Sequence, residues 1–86
     1  MAEYAVTFAR SARRELEALA PGLGARILAR IERLASDPHP PGARKLQGTQ
    51  QLWRIRVGEY RVVYGLDDRQ RVVDIIRVRH RRDVYR

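Results

Sequence analysis

The fifteen residues from Leu52 to Leu66, LWRIRVGEYRVVYGL, alternate with a period of two on either side of a Gly-Glu pair, and few folds can use such a pattern. Successive strand side chains project to opposite faces. Trp53, Ile55 and Val57 therefore share one face, while Leu52, Arg54 and Arg56 share the other. After the break, Tyr60, Val62, Tyr64 and Leu66 fall on one side and Arg61, Val63 and Gly65 on the other. Gly58-Glu59 suits a two-residue hairpin turn with Gly at the first central position, where positive φ is required. That turn sets the register: Val57 opposite Tyr60, Arg56 opposite Arg61, Ile55 opposite Val62, Trp53 opposite Tyr64. One face becomes an apolar core surface. The other sets Arg56 directly across from Arg61, an arrangement that destabilises a strand pair by roughly 0.2–1 kcal/mol. Two readings stay open: a solvated face whose arginines splay apart, or a surface that receives an anion.

Composition narrows the partner. The net charge is +8, from 18 basic and 10 acidic residues, and Lys45 is the single lysine. Guanidinium forks bind phosphate bidentately and stack on bases, whereas Lys acts as a point charge. A partner rich in phosphate or carboxylate is expected, although a GC-rich genome also raises Arg over Lys. The chain has no Cys and two His, so neither disulfides nor a thiolate metal site is available. No apolar run approaches the roughly 18 residues of a membrane span. The N-terminus MAEYAV has neither a charged nor an apolar leader segment, and a cytoplasmic, non-membrane location is expected.

With 86 residues, the chain is expected to form one domain, 1–86, in which nearly every apolar residue is needed inside. Tyr4, Val6 and Phe8 alternate as a first strand. Ala12, Leu16 and Leu19 then recur at helical spacing, and Pro21-Gly22 is expected to end that helix. A second helix is expected from about Leu23 to Ala35, with Leu23, Ile27, Ile31 and Leu34 inward. On it Arg26, Arg30 and Arg33 form a basic stripe, either a solvated face or a grip on an anionic backbone. DPHPPG, Asp37 to Gly42, excludes helix and central strand, and His39 within it reads as a surface residue. Arg71 to Arg79 is a third strand in the meander, apolar on both faces between Val72 and Ile76, which suggests an interior place in the sheet. The expected fold is α+β, in the order β-α-α-β-β-β, with two N-terminal helices on one face of a small antiparallel sheet. The open face carries the arginines.

KLQGTQQLWRIRVGEYRVVYGLDD and the tail VRHRRDVYR, with the opening Tyr-X-Val-X-Phe strand and the DPXPPGXRKLXG loop, resemble the RelE/ParE superfamily of toxins from type II toxin–antitoxin pairs. The likeness spans nearly the whole chain. It implies a RelE-like endoribonuclease that cleaves mRNA on the ribosome without metal or cofactor, the 2′-hydroxyl attacking the adjacent phosphate. Such chemistry needs a proton acceptor, cations for the phosphorane and an acid for the 5′-oxygen. By position in the matching motifs, Arg56, Arg61, Arg81 and Tyr85 are candidate catalytic residues, with RNA contacts from Arg54, Lys45, Arg77 and Arg79. Arg is a poor base, so the proton falls to His80 or Tyr85, or catalysis is mostly electrostatic. His80 shares the parity of Val78 and can equally be a satisfied, partly buried His; Tyr85 can equally pack on the sheet edge. The resemblance also implies a small acidic antitoxin that folds on binding and assembles with the toxin into a hetero-oligomer. The alternative on the same fold is a ParE-like inhibitor that binds DNA gyrase and has no hydrolytic site.

Overall fold

The hairpin forms in the expected register. In the computed structural model, which describes residues 3–46 and 51–84, β3 (Leu52–Val57) pairs antiparallel with β4 (Tyr60–Asp67). Its Cα partners include Val57–Tyr60, Arg56–Arg61, Ile55–Val62 and Trp53–Tyr64. Gly58 has φ +60°, as the first central residue of such a turn requires. Around this ribbon lie β1 (Ala5–Phe8), α1 (Arg10–Glu17), α2 (Pro21–Arg33), β2 (Arg44–Lys45), β5 (Val72–His80) and α3 (Arg81–Val84).

The sheet order is β1-β5-β4-β3-β2, which places β5 inside. Its strands are not all antiparallel as expected: β1 runs parallel to β5, so the sheet is mixed. Two reversals separate β3 from β5, which therefore point the same way. β1 shares that direction. The stretch through α1, α2 and β2 thus carries the chain from β1 to the like-directed β3, a connection that needs a dozen residues or more. Alternation alone carries no strand direction. β2 is a further short strand, pairing Arg44 with Arg54 and Lys45 with Trp53.

The helix boundary also differs from expectation. Pro21 and Gly22 do not close α1, which ends at Glu17; they open α2. Pro fits the first helical turn, where its missing N–H has no intrahelical partner in any case. The inward face of α2 is as the spacing predicts: Ile27, Ile31 and Leu34 are fully buried, and Leu23 is half-buried. Against them lie Ile55, Val62, Tyr64, Val73 and Ile75. Full burial of each large aliphatic side chain is worth about 1.5–3 kcal/mol.

Ile75 and Val78 are both buried although three residues apart, which strict alternation forbids. A bulge reconciles them. Val63 pairs with Arg77 and Tyr64 with Ile75, which leaves Ile76 as the extra residue of β5. Beyond it, Arg77 and Arg79 join the face of Val63 and Arg61. Among the described residues, no helix is long and apolar enough to cross a membrane.

Tyr64 ties the sheet to the proline loop. Its side chain is fully enclosed, and its hydroxyl donates to the Pro38 carbonyl at 2.8 Å. Burial, with Asp37 nearby, pushes the phenol up to about 12. The folded state therefore holds this proton more tightly than the unfolded chain. The resulting stabilisation is complete below the unfolded value of 10 and is lost as pH rises toward 12. Tyr64→Phe is expected to lower the unfolding free energy at neutral pH by about 1–2 kcal/mol. The variant should also lose less stability than wild type between pH 10 and 12 in urea titrations. Parallel losses in the two proteins would remove Tyr64 from the linkage.

Candidate nucleic-acid interface

Three cross-strand neighbours on the open face are all arginine: Arg56 on β3 faces Arg61 on β4, which faces Arg79 on β5. The next row runs Arg44, Arg54, Val63, Arg77. Neighbouring strands lie about 4.8 Å apart, so these charges are gathered rather than dispersed. Arg61, in the middle, is only 8% exposed, whereas Arg56 and Arg77 are exposed and Arg54 is half-buried. Guanidinium groups gathered in this way can receive a phosphate through paired N–H bonds.

The hairpin turn and α3 close one end of the upper row into a cleft. Arg56, Gly58, Glu59, Tyr60, Arg61 and Arg81 line about 150 Å³. Arg81 is twenty residues from Arg61 in sequence but reaches the cleft because its backbone N–H donates to the Glu59 carbonyl at 2.8 Å. Its Nη1 also lies 3.7 Å from Glu59 Oε2. Both side chains are more than 60% exposed, so this ion pair adds little stability. Its effect is positional. Glu59 thus brings a carboxylate beside three guanidinium groups, a feature that the sequence hid behind its evident role in the turn.

The other sequence-predicted residues are placed differently. His80 is in register with Tyr60, against whose ring it stands edge-on at 5.3 Å, on the side of the sheet opposite Arg61. Its Nδ1 accepts the Arg82 N–H at 3.2 Å, which occupies that lone pair. It lines a depression with Glu15, Leu19 and Val78 rather than the arginine cleft. Lys45 shares the parity of Trp53 and so projects away from the arginine rows. Tyr85 lies outside the described residues.

Arg79 has a second task. β1 covers β5 only from Val72 to Ile75, and the strand edge beyond is bare. Glu15 of α1 covers it: Oε1 accepts the Val78 N–H at 2.9 Å, and Oε2 accepts from Arg79 Nε at 2.7 Å. A backbone bond to a charged acceptor is worth about 1.5–3 kcal/mol. Arg79 Nε is engaged there, so its remaining donors alone can serve the open face. Nothing in the period of α1 singles out Glu15, because its partner is sixty-three residues away.

Against known proteins, residues 6–85 match the family model described as "ParE toxin of type II toxin-antitoxin system, parDE". The chain is 40% identical over 91 residues to Toxin RelG of Mycobacterium tuberculosis, covering 96% of this chain and 97% of that one. It superimposes on a chain of the RelBE2 toxin–antitoxin complex of the same organism with TM-score 0.81 and 31% identity, covering 91% and 98% of the two chains. A chain of the archaeal RelE–RelB complex from Pyrococcus horikoshii gives TM-score 0.81 at 28% identity, with 92% and 96% covered.

Because Arg56 is exposed and faces Arg61, relieving the repulsion should stabilise the empty protein. Arg56→Thr is expected to raise the unfolding free energy by about 0.2–1 kcal/mol at low ionic strength. The gain should shrink as salt screens the pair. Urea titrations at low and high salt measure both, and a variant less stable than wild type at low salt would show that the row is not under electrostatic tension.

Proposed function

The chain belongs to the family of ParE toxins of type II toxin–antitoxin systems and has the RelE-like fold, and on that premise we propose that it is a ribosome-dependent, metal-independent endoribonuclease acting on mRNA. The observation that carries this reading is the convergence of Arg56, Arg61 and Arg81 on one small cleft. In the proposed reaction a nucleotide's 2′-oxygen attacks the adjacent phosphorus and the bond to the 5′-oxygen breaks. The products are a 2′,3′-cyclic phosphate and a 5′-hydroxyl end. The three guanidinium groups balance the charge of the phosphorane, and such preorganised donors are usually the largest catalytic contribution. Glu59 takes the 2′-hydroxyl proton, since it is the carboxylate that lines the cleft. Tyr85 returns a proton to the 5′-oxygen. His80, facing the other way, packs rather than reacts.

An antitoxin completes the assignment. An acidic, amphipathic segment that folds on binding suits a chain of charge +8. Its apolar side fits the groove of about 650 Å³ between β1 and the two long helices, which the half-buried Val6, Phe8, Leu16, Leu19 and Leu28 line. β1 is the outer strand there, so its free edge is available for strand addition. The resulting hetero-oligomer, with the ribosome as target, belongs in the cytoplasm.

A second reading is favoured by the description of the matched family, which names ParE: a toxin that binds DNA gyrase without hydrolysis. Primer extension on a message with and without translating ribosomes, beside a gyrase supercoiling assay, separates the two. The nuclease reading expects cuts that require ribosomes. Arg81→Ala, an exposed change, should reduce them by about 10²–10³-fold. Glu59→Gln should reduce them by about 10²-fold or more, while His80→Gln stays near wild type. Inhibited supercoiling with no cuts would move the assignment to gyrase. Equal cleavage by Glu59→Gln and wild type would remove Glu59 as the proton acceptor.

A further inference from the structure

A second basic concavity lies on the outer side of β3, in neither the turn nor the tail. β2 is two residues long and pairs only with Trp53 and Arg54, so among the described residues no strand pairs with this edge of β3 from Ile55 onward. Beside that edge, Arg30 of α2, Arg44, Arg54 and Arg56 line a groove of about 290 Å³ floored by Pro41 and Gly42. Gly42 has φ +90°, a conformation that side-chain-bearing residues rarely adopt, and it delivers Arg44 to this place. Arg26, Arg30 and Arg33 form one stripe by spacing, yet the fold separates them. Arg30 is half-buried at the groove, whereas the other two are exposed and do not line it.

We propose that Arg30, Arg44 and Arg54 form a second phosphate subsite that holds the single-stranded RNA backbone next to the phosphate in the Arg56–Arg61–Arg81 cleft. The subsite rests on the reading of that cleft as an RNA site and extends it beyond the hairpin, to Arg44 of the proline loop and to Arg30 of α2, which neither the motifs nor the hairpin pattern marks. Arg56 lines both concavities, so they are contiguous. Along β3 the same-face residues Arg54 and Arg56 stand about 7 Å apart, at about 3.3 Å per residue. Adjacent phosphates of an extended strand can therefore be held one by each. No carboxylate and no aromatic side chain lines the groove, in contrast to the cleft with its Glu59 and Tyr60. Guanidinium groups that converge on one concavity suit a phosphate, which they can bind through paired N–H bonds. A groove without a stacking ring is fitted to backbone rather than to bases. The subsite positions the strand and carries no sequence preference.

Fluorescence anisotropy with 2′-O-methyl oligonucleotides, which bind but cannot be cut, tests this across chain lengths and salt concentrations. Wild-type affinity should step up when the oligonucleotide gains the nucleotide that reaches the groove. For Arg30→Gln/Arg44→Gln that step should vanish. The dependence of log K on log salt should become shallower by about 0.7 for each lost phosphate contact to a single strand. Arg26→Gln/Arg33→Gln removes the same charge from the exposed stripe and should keep both the step and the slope. Equal slopes for the two double variants, or no length step in wild type, would overturn the subsite. Ribosomal cleavage by wild type, scored separately, keeps the two assignments apart. Cleavage with equal slopes removes the subsite alone, and a slope difference without cleavage retains the subsite while removing the nuclease reading.

Discussion

The register between β3 and β4 governs almost everything else in this molecule. Side chains alternate with a period of two, so a slip of one residue would carry Ile55, Val62 and Tyr64 to the surface and the arginines into the core. The loss of that apolar burial, at about 1.5–3 kcal/mol for each large side chain, far exceeds the cost of setting Arg56 against Arg61. The apolar face therefore dictates where the charged face goes. Gly58, at φ +60°, locks the choice locally. The gathering of the arginines on one face is a consequence of that strongly specified core.

The second determinant is the bulge at Ile76. Without the extra residue, Val78 and His80 would move to the open face, and Arg77 and Arg79 would project with Tyr60 instead of with Arg61. One inserted residue thus assembles the arginine row across three strands. It also lets His80 pack against Tyr60, away from the cleft. The placement of proton-transfer candidates on the two faces of the sheet is a question of strand geometry before it is one of chemistry.

What the sequence revealed follows from how local each feature is. The hairpin, its register and the Arg56–Arg61 pair are properties of fifteen consecutive residues and a turn, and they are read directly from alternation. The inward face of α2 is equally plain from its spacing. The direction of β1 is not, because a strand pairs in parallel or antiparallel with the same alternation, and only the crossover through the helices decides. Pro21 was ambiguous for a similar reason: Pro is found both after a helix and at the start of one. Arg81 and Glu15 make their contacts with residues distant in sequence, and no periodic signal marks them; the spacing of α2 marks Arg30 only as one of a stripe, and the fold sets it apart from Arg26 and Arg33. Glu59 was visible as a turn residue, and that sufficient role concealed its nearness to three arginines.

The preference for arginine over lysine acquires a physical meaning in this setting. Arg61 is nearly enclosed, at 8% exposure, in the middle of a row of like charges. A lysine there would be pressed toward deprotonation by burial and by its neighbours, and would then bind no phosphate. Arginine stays charged regardless, and its more weakly hydrated guanidinium is less costly to enclose. The same permanence that makes it a dependable phosphate ligand disqualifies it as a base, so the proposed nuclease would need a proton acceptor of another residue type. The proposal gives that role to Glu59, which lines the edge of the cleft and stands 3.7 Å from Arg81 Nη1. In that proposal the arginine row and the acidic turn residue divide the work: permanent charge at the centre, a proton acceptor at the rim.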